Sequence, residues 1–201
     1  LPARAEDGNK GTFGRVIVAG GSGQYIGAPA FAAVAAYRAG AGLVTIACPS
    51  GLVPALAPSV AEATWLPQTA AEDGGLPGTA AVSLRPEWGG FDAAVIGPGM
   101  GNTEERRAFL WAVLPDLAQD IPNGVVIDAD ALNGLAEMPD AAERVPPKAV
   151  LTPHPGEMAR LLGTTVADVQ SRRMAIAIEA AAHFGCVVVL KGAHSVVAGP
   201  G

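Results

Sequence analysis

The sequence predicts an α/β protein in which helices cover a mainly parallel sheet. Short runs rich in β-branched residues recur along its 201 residues, and segments long enough for helices separate them. Parallel neighbours need a long crossover connection, usually a helix, so this alternation favours parallel pairing. With 50% hydrophobic and 16% charged residues, the chain is able to bury a substantial core. No internal repeat or shift in composition marks a second domain, so we predict a single domain over residues 1–201.

Each predicted element follows from its local pattern. Apolar, β-branched runs predict at least six buried strands, at residues 15–19, 43–48, 93–96, 125–128, 149–152 and 186–190. Apolar segments of helical length predict helices at residues 28–39, 104–118 and 166–184, the last ended by Gly185.

Two stretches break the alternation. Residues 194–198 follow the strand at 187–190 too closely for a helical crossover, which predicts a hairpin around Lys191-Gly192-Ala193. Residues 69–84 contain Asp73-Gly74-Gly75 and Pro77-Gly78, which are typical turn sequences. We therefore expect this second stretch to be an excursion on the surface.

Charge and cysteine content exclude several classes of protein. Thirteen Lys and Arg against nineteen Asp and Glu give a net charge of −6, and no basic cluster is present, which argues against a nucleic-acid partner. Cys48 and Cys186 each stand beside an apolar run, as buried thiols of a cytoplasmic protein do. No apolar stretch reaches the roughly 18 residues of a membrane helix. Residues 1–14 lack the apolar core of a signal peptide.

Glycine-rich segments follow two predicted strands, at the edge where an open parallel sheet binds its ligands. Gly20-Gly21-Ser22-Gly23 either directs backbone N–H groups of a helix start towards an anion or forms a plain tight turn. Its spacing fits neither a P-loop nor a dinucleotide fingerprint. Gly97-Pro98-Gly99-Met100-Gly101 either lets the main chain approach a flat or phosphorylated ligand or only reverses the chain.

Two acidic residues end the strand at 125–128. Asp128 and Asp130 are candidates for holding Mg²⁺ through water, and Asp130 is equally a candidate for the N-cap of the following helix. Asn133, one turn further on, allows the same two interpretations.

Residues 152–157, Thr-Pro-His-Pro-Gly-Glu, form the most informative segment. Prolines on both sides of His154 favour an extended backbone that presents the imidazole. A titratable side chain held rigidly at a strand end is a site candidate, so we favour a functional over a structural role for His154. Glu157 either orients a metal-bound water or favours the start of the next helix.

The last candidate is Lys191-Gly192-Ala193-His194-Ser195 on the predicted hairpin. A lysine beside accessible backbone N–H groups suits a diphosphate, and a solvated turn lysine is the alternative. No Ser/His/Asp triad, Cys/His pair or zinc-ligand spacing can be assembled from the sequence. Acyl transfer and zinc hydrolysis therefore find no support.

Taken together and in order, these segments resemble one family, the ADP-dependent NAD(P)H-hydrate dehydratases of the ribokinase-like superfamily. The resemblance spans essentially the whole chain, and several motifs at consistent spacing are far more specific than any one of them. The matching stretches are Lys10-Gly11-Thr12-Phe13-Gly14-Arg15-Val16, residues 20–25, Gly27-Ala28-Pro29, residues 38–45, Gly97-Pro98-Gly99-Met100-Gly101, residues 128–133, residues 151–157 and Val189-Leu190-Lys191-Gly192-Ala193.

The resemblance implies a three-layer α/β/α ribokinase-like fold and a repair enzyme. Such an enzyme removes water from the S epimer of hydrated NADH or NADPH and converts ADP, its co-substrate, to AMP and phosphate. Mg²⁺ helps to neutralise the transferring group, with no protein side chain as a direct metal ligand. The resemblance also implies a homotetramer and a fused or separate epimerase partner.

The family's binding residues carry over to matching positions. Ala28, Gly99, Gly101 and His154 would line the pocket for the hydrate. The nucleotide pocket would be formed by Lys191, Gly192, Ala193, His194 and Ser195. Four polar residues would support these pockets: Asp128, Asp130, Asn133 and Glu157.

Two departures from the family pattern matter. Asn9 stands where the family usually has His. The sequence ends at Gly201, before the Gly-Thr/Ser-Gly-Asp loop whose N–H groups form an anion hole and whose Asp is the catalytic base. The catalytic residue is thus expected beyond Gly201, and these 201 residues alone are expected to turn over slowly or not at all.

Two other functions remain open. One is a ribokinase-like small-molecule kinase, against which His154 argues, since those kinases tend to carry Asn at that position. The other is a nucleotide-binding fragment that folds without activity.

Overall fold

An eight-stranded sheet forms the centre of the computed structural model, which describes residues 7–201. The predictions made for residues 1–6 lie outside the described residues. The strands follow one another along the chain as β1 (Arg15–Ala19), β2 (Leu43–Pro49), β3 (Thr64–Gln68), β4 (Ala93–Ile96), β5 (Val125–Ile127), β6 (Val150–Leu151), β7 (Val187–Leu190) and β8 (Val196–Ala198).

Helices connect most of these strands. They are α1 (Ala28–Ala39), α2 (Val53–Leu56), α3 (Ala80–Leu84), α4 (Glu104–Asp120), α5 (Asp130–Ala136), α6 (Ala141–Arg144), α7 (Pro155–Leu161), α8 (Val166–Ser171) and α9 (Arg173–Phe184). Short 3-10 turns occupy Ser50–Leu52, Ala57–Ser59 and Arg85–Gly90. In the part of the chain that the structure describes, no helix is long and apolar enough to cross a membrane.

The strand order creates a switch point near the middle of the sheet. The order is β3-β2-β1-β4-β5-β6-β7-β8, and all pairs are parallel except the antiparallel pair of β7 and β8. From β1 the chain first builds outward through β2 and β3, then returns to add β4 on the other side. Loops that leave β1 and β4 therefore diverge to opposite faces, which opens a crevice at their carboxyl ends. The predicted parallel sheet and C-terminal hairpin are both confirmed.

Both faces of the sheet carry a buried core. On one face, α3, α4, α5 and α9 pack against residues such as Ile17, Ile96 and Ile127. On the other face, α1 and α2 pack against β1 and β2 around Val18 and Ile46. These layers form the three-layer α/β/α arrangement.

Several element boundaries differ from the prediction. The edge strand β3 was missed because Pro67 and polar residues interrupt its pattern, and its burial comes from pairing with β2. β5 ends at Ile127 and β6 has only two residues, so both are shorter than expected. The predicted helix 166–184 is two helices, since Arg172 adopts a non-helical φ of −129°. Gly185 ends α9 in the left-handed conformation, as expected.

The prediction of a surface excursion at residues 69–84 holds for only part of that stretch. Leu76 and Leu84 are fully buried, and Ala80 and Ala81 of α3 join the same core. Turn-forming glycines correctly indicate the absence of a long regular element, but they do not report whether a turn folds back onto the core. Here the turn wraps around a buried arginine of α4, described below.

The two cysteines provide a test of this packing. Cys48 in β2 and Cys186 before β7 are free and fully buried, and burial raises the pKa of each thiol to about 11. Because the thiolate is the reactive form, we expect a thiol reagent at about pH 8 to leave both unlabelled in the folded protein. Mass spectrometry should detect two added labels after unfolding in urea. Rapid labelling of the folded protein would contradict the core described here.

Candidate functional site

The two glycine segments meet at the switch point between β1 and β4. The backbone N–H of Gly21 donates to the Pro98 carbonyl at 2.9 Å, and that of Gly97 donates to the Ala19 carbonyl at 3.0 Å. A Cβ atom added at Gly20 would lie 2.4 Å from the Pro98 oxygen. The two loops therefore approach as closely as their backbones allow, and only glycine fits at position 20.

The second glycine loop also touches the start of α1. A Cβ atom added at Gly99, whose φ is +66°, would lie 2.7 Å from the Cβ atoms of Ala28 and Tyr25. Ala28 and Gly99, both predicted to line the hydrate pocket, are thus in direct contact. Gly101 has a φ of +80°, and a Cβ atom there would meet nothing within 4 Å. The loop is packed at Gly99 and open at Gly101.

Asp130 ties this loop to α5. Its carboxylate accepts the backbone N–H of Gly101 at 2.9 Å. The N-cap of α5 is Ala129, and Asp130 is the first residue of the helix, so the N-cap interpretation of Asp130 is wrong. Asn133 lies within α5 and accepts a hydrogen bond from the Arg160 guanidinium at 2.9 Å. Asp130 and Asn133 therefore connect α5 to neighbouring segments, and neither is the N-cap of the helix.

His154 is the N-cap of α7. Its backbone is extended, as the flanking prolines predict, and its Nδ1 accepts the N–H groups of Gly156 at 2.9 Å and Glu157 at 3.3 Å. The Glu157 carboxylate accepts the His154 N–H at 2.7 Å, which completes a capping box. With Nδ1 as an acceptor, neutral His154 carries its proton on Nε2, 3.4 Å from Glu157 Oε1. The imidazole is both a helix cap and half exposed at the site.

Glu157 is a buried carboxyl group beneath this imidazole. Only 4% of the residue is exposed, and burial raises its pKa above the usual value of a glutamate. The His154 backbone N–H and the charges of Lys191 and His154 act in the opposite direction, while the charge of Asp128 adds to the rise. Glu157 thus lies in the first turn of α7, as the helix-start interpretation predicts, and its role towards a metal-bound water stays a prediction.

An ion pair connects the ends of β5 and β7. The Lys191 ammonium lies 2.6 Å from the Asp128 carboxylate, and the Lys191 N–H donates to the Pro153 carbonyl at 2.8 Å. This pair holds the Lys191 charge at the sheet edge, so Lys191 is not an unpaired turn lysine. The side chain stays 40% exposed, so its ammonium remains accessible to an anion.

Arg173 shapes the hairpin loop that follows Lys191. Its guanidinium donates to the carbonyl groups of Leu190, Lys191 and His194 at 2.9 to 3.1 Å. A Cβ atom at Gly192 would lie 2.9 Å from that guanidinium. Gly192, Ala193, His194 and Ser195 are exposed. The loop therefore presents its outer surface to solvent while Arg173 holds its inner carbonyls.

The structure brings most of the predicted residues to one edge of the sheet. Asp128, His154, Glu157 and Lys191 form one cluster, and Ala28, Gly99, Gly101 and Asp130 form a second. Gly97 joins the clusters, since a Cβ atom there would lie 2.1 Å from the Asp128 carbonyl oxygen. Sequence reasoning missed Arg173, because no local pattern marks an arginine that folds back onto distant carbonyls.

Acidic groups at this edge do not form a metal cage. Among residues 7–201, no group of three or more His, Cys, Asp or Glu side chains is placed to hold a metal ion. Asp128 pairs with Lys191, and Asp130 is bonded to Gly101. Mg²⁺ usually keeps several waters and binds one or two carboxylates plus substrate phosphates. Asp128 and Asp130 thus each already have a hydrogen-bonding partner within the described residues.

Known proteins share both the sequence and the fold. The family model described as NAD(P)H-hydrate dehydratase matches residues 16–201. A bifunctional NAD(P)H-hydrate repair enzyme from Moorella thermoacetica is 43% identical over 100% of this chain, which spans 37% of that protein. The chain thus covers little more than a third of the length of this relative.

Two solved structures have a fold similar to that of this chain. An ADP/ATP-dependent NAD(P)H-hydrate dehydratase from Bacillus subtilis, co-crystallised with ATP/Mg²⁺, has a TM-score of 0.76 and 31% identity, over 100% of this chain and 65% of that one. A ribokinase-like superfamily protein from Enterococcus faecalis has a TM-score of 0.80 and 26% identity, over 99% of this chain and 64% of that one. The predicted ribokinase-like fold is confirmed.

Two variants separate the capping role of His154 from its role at the site. His154→Ala removes the acceptor for two N–H groups of α7, and we expect it to lower the free energy of unfolding by about 0.5–2 kcal/mol. His154→Asn supplies a capping oxygen and should regain most of that stability. Urea denaturation measures both values. Equal loss of stability in the two variants would contradict the cap.

Glu157 should make stability depend on pH. Its pKa is raised in the folded protein, so above its usual value the folded state binds more protons than the unfolded state. The free energy of unfolding contributed by this group therefore falls as pH rises from about 4.5 through the raised pKa.

Glu157→Gln keeps an acceptor for the His154 N–H but has no proton to lose. In this variant the free energy of unfolding should no longer decrease between about pH 4.5 and the raised pKa. Urea denaturation between about pH 4 and 7 gives the difference from the native sequence, with exposed Glu87→Gln as the control. If the free energy of unfolding depended on pH in the same way in Glu157→Gln and in the native sequence, Glu157 would not be the source of the pH dependence.

Proposed function

Because the chain belongs to the NAD(P)H-hydrate dehydratase family, we propose that it takes part in the ADP-dependent dehydration of (S)-NAD(P)H hydrate. One observation carries the proposal: the Lys191–Asp128 pair and the two glycine loops lie at the same sheet edge, beside His154. The family resemblance and this grouping of residues support it together.

The proposed reaction uses ADP to turn a hydroxyl into a better leaving group. The hydrate hydroxyl loses its proton to a base as its oxygen attacks the β-phosphorus of ADP, and the bond between that phosphorus and the bridging oxygen breaks, which releases AMP. The phosphate then leaves the ring with that oxygen, a ring proton is lost, and the dihydronicotinamide double bond is restored. In sum, hydrate and ADP give NAD(P)H, AMP and phosphate.

Each described residue has a proposed part. Lys191 offers a positive charge to the diphosphate, and the exposed N–H groups of residues 192–195 flank it. Asp128 holds the lysine ammonium at the end of β7 until an anion competes for it. The positive charge of Lys191 favours the negative charge that develops on the phosphoryl oxygens during the transfer.

The hydrate is proposed to bind across the glycine loops. Ala28, Gly99 and Gly101 form a wall without bulky side chains, against which a flat nicotinamide ring can lie. His154 presents Nε2 with its proton beside this wall, and Glu157 holds the imidazole through the capping box. Asp130 and Asn133 support the wall by fixing α5. The catalytic base stays a prediction, expected beyond Gly201.

The proposal also covers the metal ion, the location, the assembly and the partner of this protein. Mg²⁺ bound to the nucleotide supplies positive charge that neutralises the transferring phosphoryl group. We propose that the protein works in the cytoplasm as a homotetramer, and that an epimerase partner, fused or separate, supplies the S epimer. That residues 1–201 form a single domain likewise stays a prediction.

The proposal is tested by recovery of the near-ultraviolet absorbance of the dihydronicotinamide. The protein is mixed with hydrated NADH and Mg²⁺, with ADP and ATP in parallel reactions. Recovery that requires the nucleotide supports the dehydratase function. Absence of recovery in a protein that still binds ADP supports the inert nucleotide-binding fragment, and absence of both contradicts the nucleotide site.

The lysine is tested in the same preparation by calorimetric titration with ADP. Lys191→Met removes a charge-assisted contact, and we expect about tenfold or more weaker ADP binding. Lys148→Met is the matched control. Lys148 is exposed, its ammonium donates to the Pro122 carbonyl, and it precedes β6, at the end of the sheet away from the site. Equal affinities in the two variants would exclude Lys191 from the nucleotide pocket.

A further inference from the structure

Arg106 is a charged side chain buried in the first turn of α4. Only 2% of its side chain is exposed. A guanidinium is costly to remove from water unless its N–H groups are all well bonded. The groups that Arg106 binds should therefore explain why a charged residue is kept at this buried position.

The partners of Arg106 belong to two different loops. Its Nε donates to the Met100 carbonyl of the second glycine loop at 3.0 Å, and its Nη1 donates to the Leu76 carbonyl at 2.6 Å. Its Nη2 pairs with the Asp73 carboxylate, which lowers the pKa of Asp73. One planar group thus joins residues 97–101 to the turn at residues 71–76.

The turn is shaped around the guanidinium. A Cβ atom at Gly75 would lie 2.0 Å from Nη2, so no other residue fits at that position without a shift. The Gly75 N–H donates to Asp73 Oδ1 at 3.1 Å, and its carbonyl accepts the Ala71 N–H at 2.8 Å. The neighbouring Glu105 accepts the Gly78 N–H at 2.7 Å. Two residues in the first turn of α4, Glu105 and Arg106, therefore hold residues 71–78 against this helix.

Through the turn, Arg106 also reaches the first glycine loop. A Cβ atom at Gly74 would lie 3.5 Å from the Gly23 nitrogen, so the backbones of the turn and of the first loop lie side by side. The turn that Arg106 anchors therefore packs beside the first glycine loop, whereas the second glycine loop is hydrogen-bonded to Arg106 directly.

The contact with Met100 has a specific geometric effect. The Met100 carbonyl and the Gly101 N–H belong to the same peptide plane. Arg106 binds the carbonyl from one side, and Asp130 accepts the N–H from the other at 2.9 Å. A peptide plane held at both ends cannot rotate without breaking a charge-assisted hydrogen bond.

We infer that Arg106 is a positioning residue, which fixes the Met100–Gly101 peptide plane of the second glycine loop and anchors the turn beside the first. This inference rests on the proposed function, because these loops form the proposed wall of the hydrate pocket. Arginine suits the task because its fork reaches three acceptors in one plane, whereas a lysine ammonium is a single point.

Arg106→Lys tests the inference. It keeps the charge but cannot bind all three partners, so the peptide plane at residues 100–101 loses a restraint. We expect KM for the hydrate to rise about tenfold while KM for ADP stays within about twofold. Amide hydrogen exchange at Gly101 should quicken about tenfold. A merely structural role would lower the folded fraction and reduce turnover with both KM values unchanged.

Matched variants keep the test decisive. Arg85→Lys changes another arginine that pairs with an aspartate of α4, Asp116, on the exposed surface, and should leave both KM values and the exchange of Gly101 unchanged. If Arg106→Lys does not fold, Asp73→Asn weakens the same anchor while keeping an acceptor for Gly75. It should raise the hydrate KM and the Gly101 exchange rate about threefold. A folded Asp73→Asn variant with native values of both would overturn the inference.

The exchange measurement also separates this inference from the proposed function. If the native protein shows neither dehydratase turnover nor ADP binding, the proposed function fails and neither KM value can be measured. Exchange at Gly101 then decides alone. Faster exchange in Arg106→Lys supports the positioning role, and an unchanged rate overturns it.

Discussion

The site depends on how closely the backbone after β1 approaches the backbone after β4. The strand order reverses between these neighbours, so their loops must part to opposite faces directly after a shared hydrogen bond. Gly20 meets the carbonyl of Pro98 at a distance that leaves no room for a side chain. The crevice, the placement of Gly99 against α1 and the link from Gly101 to Asp130 all follow from this one approach.

Most of the sheet was predictable because its strands are buried on at least one face and rich in β-branched residues. The hairpin was predictable from its short connection. The edge strand Thr64–Gln68 was not, since a strand with Pro67 and polar ends takes its conformation from pairing with β2. The break at Arg172 was equally hidden, because no Gly or Pro marks it in the sequence and tertiary contacts decide the helix ends.

The site was predictable where a residue's role follows from its position after a strand. Lys191, Asp128, His154 and Glu157 were found in this way, although their sequence separation gave no indication that Lys191 pairs with Asp128. The two arginines at positions 106 and 173 were not found, because each binds a backbone carbonyl that is distant in sequence, that of Leu76 or His194. Such contacts leave no periodic or compositional trace. His154 combines both kinds of role, since the imidazole that faces the site also starts α7.

Ala129 separates the two aspartates and is the one non-glycine residue with a positive φ among residues 7–201. Its φ of 54° and ψ of −121° lie in a region that alanine seldom enters, at a cost of about 1–3 kcal/mol. The kink turns Asp128 towards Lys191 and Asp130 towards Gly101, so neighbouring carboxylates serve different elements. Glycine at this position would relieve the strain but give the unfolded chain more freedom, and the two effects oppose each other in stability. The divergence of the two carboxylates is therefore encoded in the bond torsions of a single small residue.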